Sequence, residues 1–171
     1  MKREIYKGRV VDLYLESAEL PNGVTVNLEI VRHPGASAIV ALDDSEAVTL
    51  IRQYRYAAGE FIWEIPAGKL DGEEPGVCAA RELREEAGLI AREMIHLGSV
   101  LTTPGFTDER IHLFLARGLT AVAQELEADE ILTVSRVPLP QALQMIQRGE
   151  IQDGKSIVAL YLASEFLKRE K

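Results

Sequence analysis

The spacing of apolar positions along this chain switches between a strand period and a helix period. GRVVDLYLESAEL (8–20) and VTVNLEIVRH (24–33) are β-rich runs, and Pro21-Asn22-Gly23 between them is a hairpin signal. His33-Pro34-Gly35 then breaks the pattern, which predicts a boundary between a small antiparallel β appendage, residues 1–35, and a main body, residues 36–171. ASAIVAL and AVTLIRQYRY, separated by an Asp43-Asp44 turn, read as two strands, and FIWEIPAG as another ended by Pro66 and Gly68. The period changes at Pro75. Up to Gly88, the apolar residues Val77, Ala80, Leu83 and Ala87 recur at spacings of three and four. That spacing predicts a helix with proline in its first turn and glycine just past its end, one face packed and an acidic face opposite. HLGSVL, RIHLFLARGL and EILTVSRVPL return to strands, and helices around PQALQMIQR and SIVALYLASEFLKR close the chain. Strands with helices interspersed predict an α/β layered fold with a mixed sheet.

A chain of 171 residues suits one domain of ordinary size, or one domain with a small appendage, and 47% hydrophobic with 27% charged residues reads as globular. No apolar run reaches 18 residues, so no membrane span is predicted. MKREIYKGRV has charge but no apolar core behind it, unlike a secretory signal. Cys78 stands alone and forms no internal disulfide, which fits a reducing, cytoplasmic setting. Among Val77, Ala79 and Ala80 it reads as a small packed hydrophobe. Nineteen basic against 27 acidic residues give a net charge of −8, which argues against a nucleic-acid partner. An anionic substrate would need the sign reversed locally, and a divalent cation does that.

The helix supplies the chemistry for such a cation. Glu82, Glu85 and Glu86 stand at i, i+3 and i+4, so their carboxylates project from one side and repel by about 0.2–0.5 kcal/mol per pair. Arg81 sits beside Glu82 and one turn before Glu85, placed to hold a carboxylate. The preceding glycine-rich turn lets backbone oxygens at Ala67 and Gly68 come close. Glu127, Asp129 and Glu130 follow later in an irregular stretch. Oxygen-only ligands suit Mg²⁺ or Mn²⁺ rather than zinc. The plainer alternative is a solvated face in an acidic protein.

Arg81-Glu82-Leu83-Arg84-Glu85-Glu86-Ala87-Gly88-Leu89 resembles the core of the Nudix box, R-E-U-x-E-E-x-G-U with U aliphatic, at every specified position. The full pattern, G-x5-E-x7-R-E-U-x-E-E-x-G-U, is met with one departure. Glu73 lies at the right distance before Arg81, but only four residues separate it from Gly68, so Glu73 and Glu74 both stand as candidates for the first glutamate. The resemblance runs from about Ala36 to the end and implies the Nudix α/β/α sandwich. ADP-ribose pyrophosphatases of that family carry a proline sixteen residues after the box glycine. Pro104 stands sixteen after Gly88, inside TTPGFTDE, which resembles that subgroup's substrate loop. The β appendage resembles theirs too, and implies a homodimer.

The resemblance implies Mg²⁺, with Mn²⁺ able to substitute, held by Glu82, Glu85, Glu86 and the Ala67 carbonyl, with Asp129 as an auxiliary ligand. It places Arg81 and Glu85 in the catalytic set and draws the general base from Glu127 to Ile131, Glu127 first and Glu130 open to either role. Arg52 and Arg55 are expected to face the cleft and bind phosphate. Gly68, Pro104, Phe106, Glu109 and Glu130 are expected around the substrate. Trp63 reads equally as a stacking platform or as a core or dimer contact. The implied reaction is hydrolysis of ADP-ribose to AMP and ribose 5-phosphate. The alternatives are another nucleoside diphosphate sugar such as GDP-mannose, or a ligand-binding regulator without catalysis.

Overall fold

The computed structural model describes residues 2–126 and 130–170. In chain order its elements are β1 (Lys2–Lys7), β2 (Asp12–Glu19), β3 (Thr25–Arg32), β4 (Ala36–Ala41), β5 (Ala47–Arg55), β6 (Glu60–Glu64), β7 (Ala67–Lys69), α1 (Pro75–Ala87), β8 (Leu89–Leu101), β9 (Arg110–Ala121), β10 (Leu132–Pro138), α2 (Leu139–Gln147) and α3 (Gly154–Glu170). They build three sheets, with strand orders β1-β2-β3, β10-β5-β6 and β7-β4-β9-β8.

The alternation of side chains along β4 explains the layering. Ala38 and Val40 point to one side, where Leu113 and Leu115 of β9 meet Ala159, Leu160 and Ala163 of α3. Ile39 and Ala41 point to the other, packing with Phe114, Ala116 and the α1 residues Ala79 and Leu83. A strand covered on both faces must be apolar nearly throughout, and every β4 residue is buried. The sheet is mixed, as expected: β4 runs parallel to β9, while β7 and β8 run antiparallel to their neighbours. Helix-covered on two sides, this is the α/β/α sandwich. Among the described residues no helix is long and apolar enough to cross a membrane.

The predicted hairpin forms, pairing Glu19 with Thr25 across Pro21-Asn22-Gly23. Strand β1 was not expected; KREIYK is exposed along its whole length and so carries no burial alternation to read. FIWEIPAG is not one strand. It divides at Ile65-Pro66, with β6 paired to β5 and β7 to β4, so the chain changes sheets where proline has no N–H to offer a ladder. β8 starts at Leu89, well before the predicted His96, and a bulge between His96 and Gly98 shifts its register against β9.

The packed stripe of α1 also differs from expectation. Val77 is 58% exposed and Ala80 is exposed, whereas Cys78, Ala79 and Leu83 are buried, and so are Glu82 and Glu86. The acidic side is therefore not opposite the packed side but adjoins it. Two glutamates are drawn inward against the β7 turn.

Candidate functional site

Helix α1 begins with Pro75 at its first turn and ends on Gly88 in the left-handed conformation, φ 62°, whose N–H returns to the Arg84 carbonyl. A side chain at Gly88 would press on the Val122 carbonyl. That close approach has a purpose. The segment after β9 docks on the helix C-terminus: Val122 N–H donates to the Gly88 carbonyl, Glu125 N–H to Glu85, and the Gln124 amide to Glu86. Carbonyls that the helix leaves unpaired are satisfied, and the chain is delivered beside the carboxylates just before residue 127. Glu127 and Asp129 themselves lie outside the described residues. Glu130 lies on the cavity wall.

At the centre Arg81 binds three carboxylates. Its Nη1 donates to Glu82 (2.6 Å) and Glu85 (2.8 Å), and its Nε donates to Glu73 (3.0 Å). Of the two candidates for the first box glutamate, Glu73 is the one joined to this cluster; Glu74 is the N-cap residue of α1 and makes no side-chain cap bond. Burial works against the Arg81 charge, but Glu85, Glu73 and Glu82 outweigh it and hold the guanidinium firmly protonated.

The two inner carboxylates have raised proton affinity. Glu86 is 2% exposed, and burial pushes its carboxyl up to about 8, although it accepts the Ala67 N–H at 2.8 Å. Burial also raises Glu82, against the pull of Arg81. The Glu82 carboxylate lies in the volume a side chain at residue 68 would occupy, so Gly68 is part of the nest. Cys78 is buried with its Sγ near the Lys69 and Gly68 carbonyls at 3.3 and 3.6 Å, a packed thiol as expected.

These groups line a cavity of about 980 Å³. One wall comes from β5 and the start of α3. Arg55 donates through Nε and Nη2 to the buried Glu64 at 2.7 and 2.8 Å, and Lys155 donates to the same carboxylate at 2.5 Å. Burial alone would raise Glu64, yet the two cations keep it below the ordinary carboxylate range. Asp153 fixes this corner by accepting from Lys155 and from the Ser156 N–H and hydroxyl. The lining also includes His33, Thr102 and Glu109, with Thr102 Oγ1 donating to Glu109 at 2.7 Å.

The structure gathers some of the expected residues at the cavity and places others away from it. Arg52 does not face the cleft. Residues three apart on a strand point to opposite faces, and Arg52 lies on the outer face of β5 over Phe61 and Trp63. Trp63 itself is partly buried against the main core. Pro104 and Phe106 are not on the cavity wall; the Phe106 ring is exposed, and its carbonyl accepts from the Val31 N–H of β3. Asp108 beside it takes Arg32 at 2.9 Å and the His33 N–H at 2.9 Å, so this loop is bolted to the appendage. Arg55, Ala67, Gly68, Glu109 and Glu130 do line the cavity. Gln53, Glu64 and Lys155 were not singled out from sequence. Glu64 had one available signal, a carboxylate inside an otherwise apolar strand run.

Among the described residues no three acidic, imidazole or thiol groups are already gathered in metal-binding geometry. Arg81 donates to both Glu82 and Glu85 and so holds these two carboxylates together. The donor set nevertheless fits a hard divalent ion. It is all carboxylate oxygen, it is drawn inward at Glu82 and Glu86, and the missing side chain at Gly68 makes the room it needs.

The NUDIX domain model matches residues 31–160. The chain is 43% identical over 162 residues to the ADP-ribose pyrophosphatase of Bacillus subtilis (strain 168), covering 93% of this chain and 88% of that protein. It is 45% identical over 160 residues to the methanol dehydrogenase activator of Bacillus methanolicus, covering 92% and 86%. A solved structure described as an ADP compounds hydrolase superposes with a TM-score of 0.85 at 23% identity, covering 99% of this chain and 93% of that one, which supports the fold. With the box residues assembled on α1 and the family model spanning most of its length, this chain belongs to the NUDIX family.

Proposed function

We propose that this protein hydrolyses the pyrophosphate link of ADP-ribose, giving AMP and ribose 5-phosphate. The observation that carries the reading is the meeting of Glu82, Glu85 and Glu86 on the wall of a cavity that also presents Arg55. The substrate assignment draws support from the B. subtilis relative named for that activity. One water adds across the bridge and two phosphomonoesters leave, so no redox partner is required.

Bound Mg²⁺, or Mn²⁺ in its place, would neutralise the phosphate oxygens and acidify a water. Glu82, Glu85 and Glu86 are the proposed ligands, joined by the Ala67 carbonyl and by Asp129. Arg81 positions Glu82 and Glu85 through its fork of donors. Arg55 is held rigid by Glu64 through Nε and Nη2, which leaves Nη1 outside that pair for a phosphate oxygen. Glu127 is the proposed base, with Glu130 as the alternative. Glu109 is proposed to meet the terminal ribose. The appendage is proposed to pair with a second copy, since its Ile5, Tyr6, Val10 and Val11 are exposed apolar side chains.

Phosphatase-coupled phosphate release from ADP-ribose, GDP-mannose, UDP-glucose, NADH and diadenosine polyphosphates, with and without Mg²⁺, tests the reading. Mg²⁺-dependent turnover led by ADP-ribose is expected. Turnover led by GDP-mannose would keep the chemistry and change the substrate. The relative named as an activator favours a second reading, a regulator. Binding of ADP-ribose without turnover would establish it.

A further inference from the structure

Gln53 is buried where a strand side chain needs a partner, and its acceptor has none. The residue is 5% exposed, and among the described residues its Oε1 receives no hydrogen bond. It lines the cavity two positions before Arg55, on the same face of β5. A buried amide oxygen without a donor is destabilising, a cost that a bound ligand carrying a donor would remove.

Given the proposed pyrophosphohydrolase reading, on which this rests, we infer that Gln53 Oε1 accepts a hydrogen bond from a hydroxyl of the sugar on the distal phosphate. The chemistry required is a donor adjacent to an anion. Two sources exist on a nucleoside diphosphate sugar, a sugar hydroxyl and an exocyclic base amine. The wall favours the hydroxyl. Near Gln53 it holds Arg55, Glu130, Asp153 and Lys155, and among the described residues no phenylalanine, tyrosine or tryptophan lines the cavity to stack a base. It offers cations for a phosphate and acceptors for hydroxyls, side by side. The N-terminus of α3 at Gly154 and the Lys155 ammonium add positive potential at the same place.

Such a residue sets specificity. A site built to bond a hydroxyl discriminates strongly against an analogue lacking it, because the protein's buried group is left unpaired. It also leaves a signature that a purely structural residue does not: replacement by an apolar side chain of similar size removes an unsatisfied atom and should not weaken the ligand-free fold.

The test measures KM, kcat and ligand-free Tm for wild type, Gln53→Leu and Gln53→Met. The substrates are ADP-ribose, analogues deoxygenated singly on the distal ribose, and inosine diphosphate ribose, which lacks the base amine. Wild type should lose about tenfold or more in kcat/KM on one deoxy analogue. Both variants should lose a similar factor on ADP-ribose and no longer distinguish that analogue, while their Tm stays level or rises. Gln53→Met keeps the test open if Gln53→Leu does not fold. Variants matching wild type on every substrate would overturn the inference and leave the pyrophosphohydrolase reading intact, as would loss of discrimination confined to inosine diphosphate ribose. A wild type with no turnover on any substrate would remove the reading and the inference together.

Discussion

The carboxylate of Glu82 occupies the space beside Gly68 that any side chain at that position would fill. The group in the way is the end of a flexible side chain, so Gly68→Ala should be accommodated by swinging Glu82 aside rather than by unfolding. The expected outcome is a stability change within about 1 kcal/mol of wild type. The apparent Mg²⁺ affinity, followed by titrating turnover, should fall by about tenfold or more, since supporting changes at ligands cost 10–100-fold. A Gly68→Ala protein that binds Mg²⁺ as wild type does would mean that Glu82 is not a ligand from this position.

Arg81 joins Glu73, Glu82 and Glu85 through one planar group. An ammonium is a compact point charge and cannot reproduce that fork. Arg81→Lys should therefore retain the charge yet lose the arrangement, lowering kcat by about 10²-fold with a smaller change in KM, because a misplaced ligand acts mainly on the chemical step. Arg81→Gln should go further and destabilise the metal-free protein by about 1–3 kcal/mol, since three carboxylates then face one another. Melting curves in EDTA and in Mg²⁺ separate the two effects: the cation should restore part of the stability of Arg81→Gln. Equal melting of wild type and Arg81→Gln in EDTA would show that the cluster needs no cation.

Much of this site was legible in the sequence because it is local. The box lies within a single helix, so the spacing of Arg81, Glu82, Glu85 and Glu86 already fixes their mutual geometry. What could not be read was the direction of that face. Val77 and Ala80 match a helical period as well as Cys78 and Ala79 do, and only the position of β4 decides which pair is packed. Strand faces were lost in the same way. Arg52 and Arg55 share a charge and a segment, yet odd spacing sends them to opposite sides of β5. Long-range partners left little local trace: Lys155 reaches Glu64 from 91 residues away, and Asp108 reaches Arg32 from 76.

Glu64 pairs with two cations while almost fully buried. Removing its charge leaves Arg55 and Lys155 without their shared partner, and breaking a buried pair from one side costs several kcal/mol. Glu64→Gln should lower stability by about 3 kcal/mol in urea titration, a figure at the low end because Arg55 is partly exposed. It should also raise KM, since Arg55 is no longer fixed for phosphate. A variant as stable as wild type would mean that solvent already screens this cluster.

Glu86 gives the metal-free protein an unusual dependence on pH. Its carboxyl has an ordinary value of 4.5 and is pushed up to about 8 by burial in the folded state. Below 4.5 both states hold the proton and the shift has no effect on stability. Between 4.5 and about 8 the unfolded chain gives up the proton while the folded protein keeps it, so each rise in pH favours unfolding. The slope is at most about 1.4 kcal/mol per pH unit, and it ends once the folded carboxyl also ionises. Glu82, raised by the same burial, acts in the same direction. In EDTA the Tm should therefore fall steadily from about pH 5.5 to 8. Mg²⁺ favours the ionised carboxylates, so saturating cation should flatten this fall, with the largest stabilisation at the alkaline end. Glu86→Gln, which has no proton to lose, should show a shallower fall than wild type in EDTA, with Glu82 supplying what remains. A wild-type Tm that holds level or rises across this range without metal would remove Glu86 as a buried, uncompensated acid and with it the reason to expect a cation beside it.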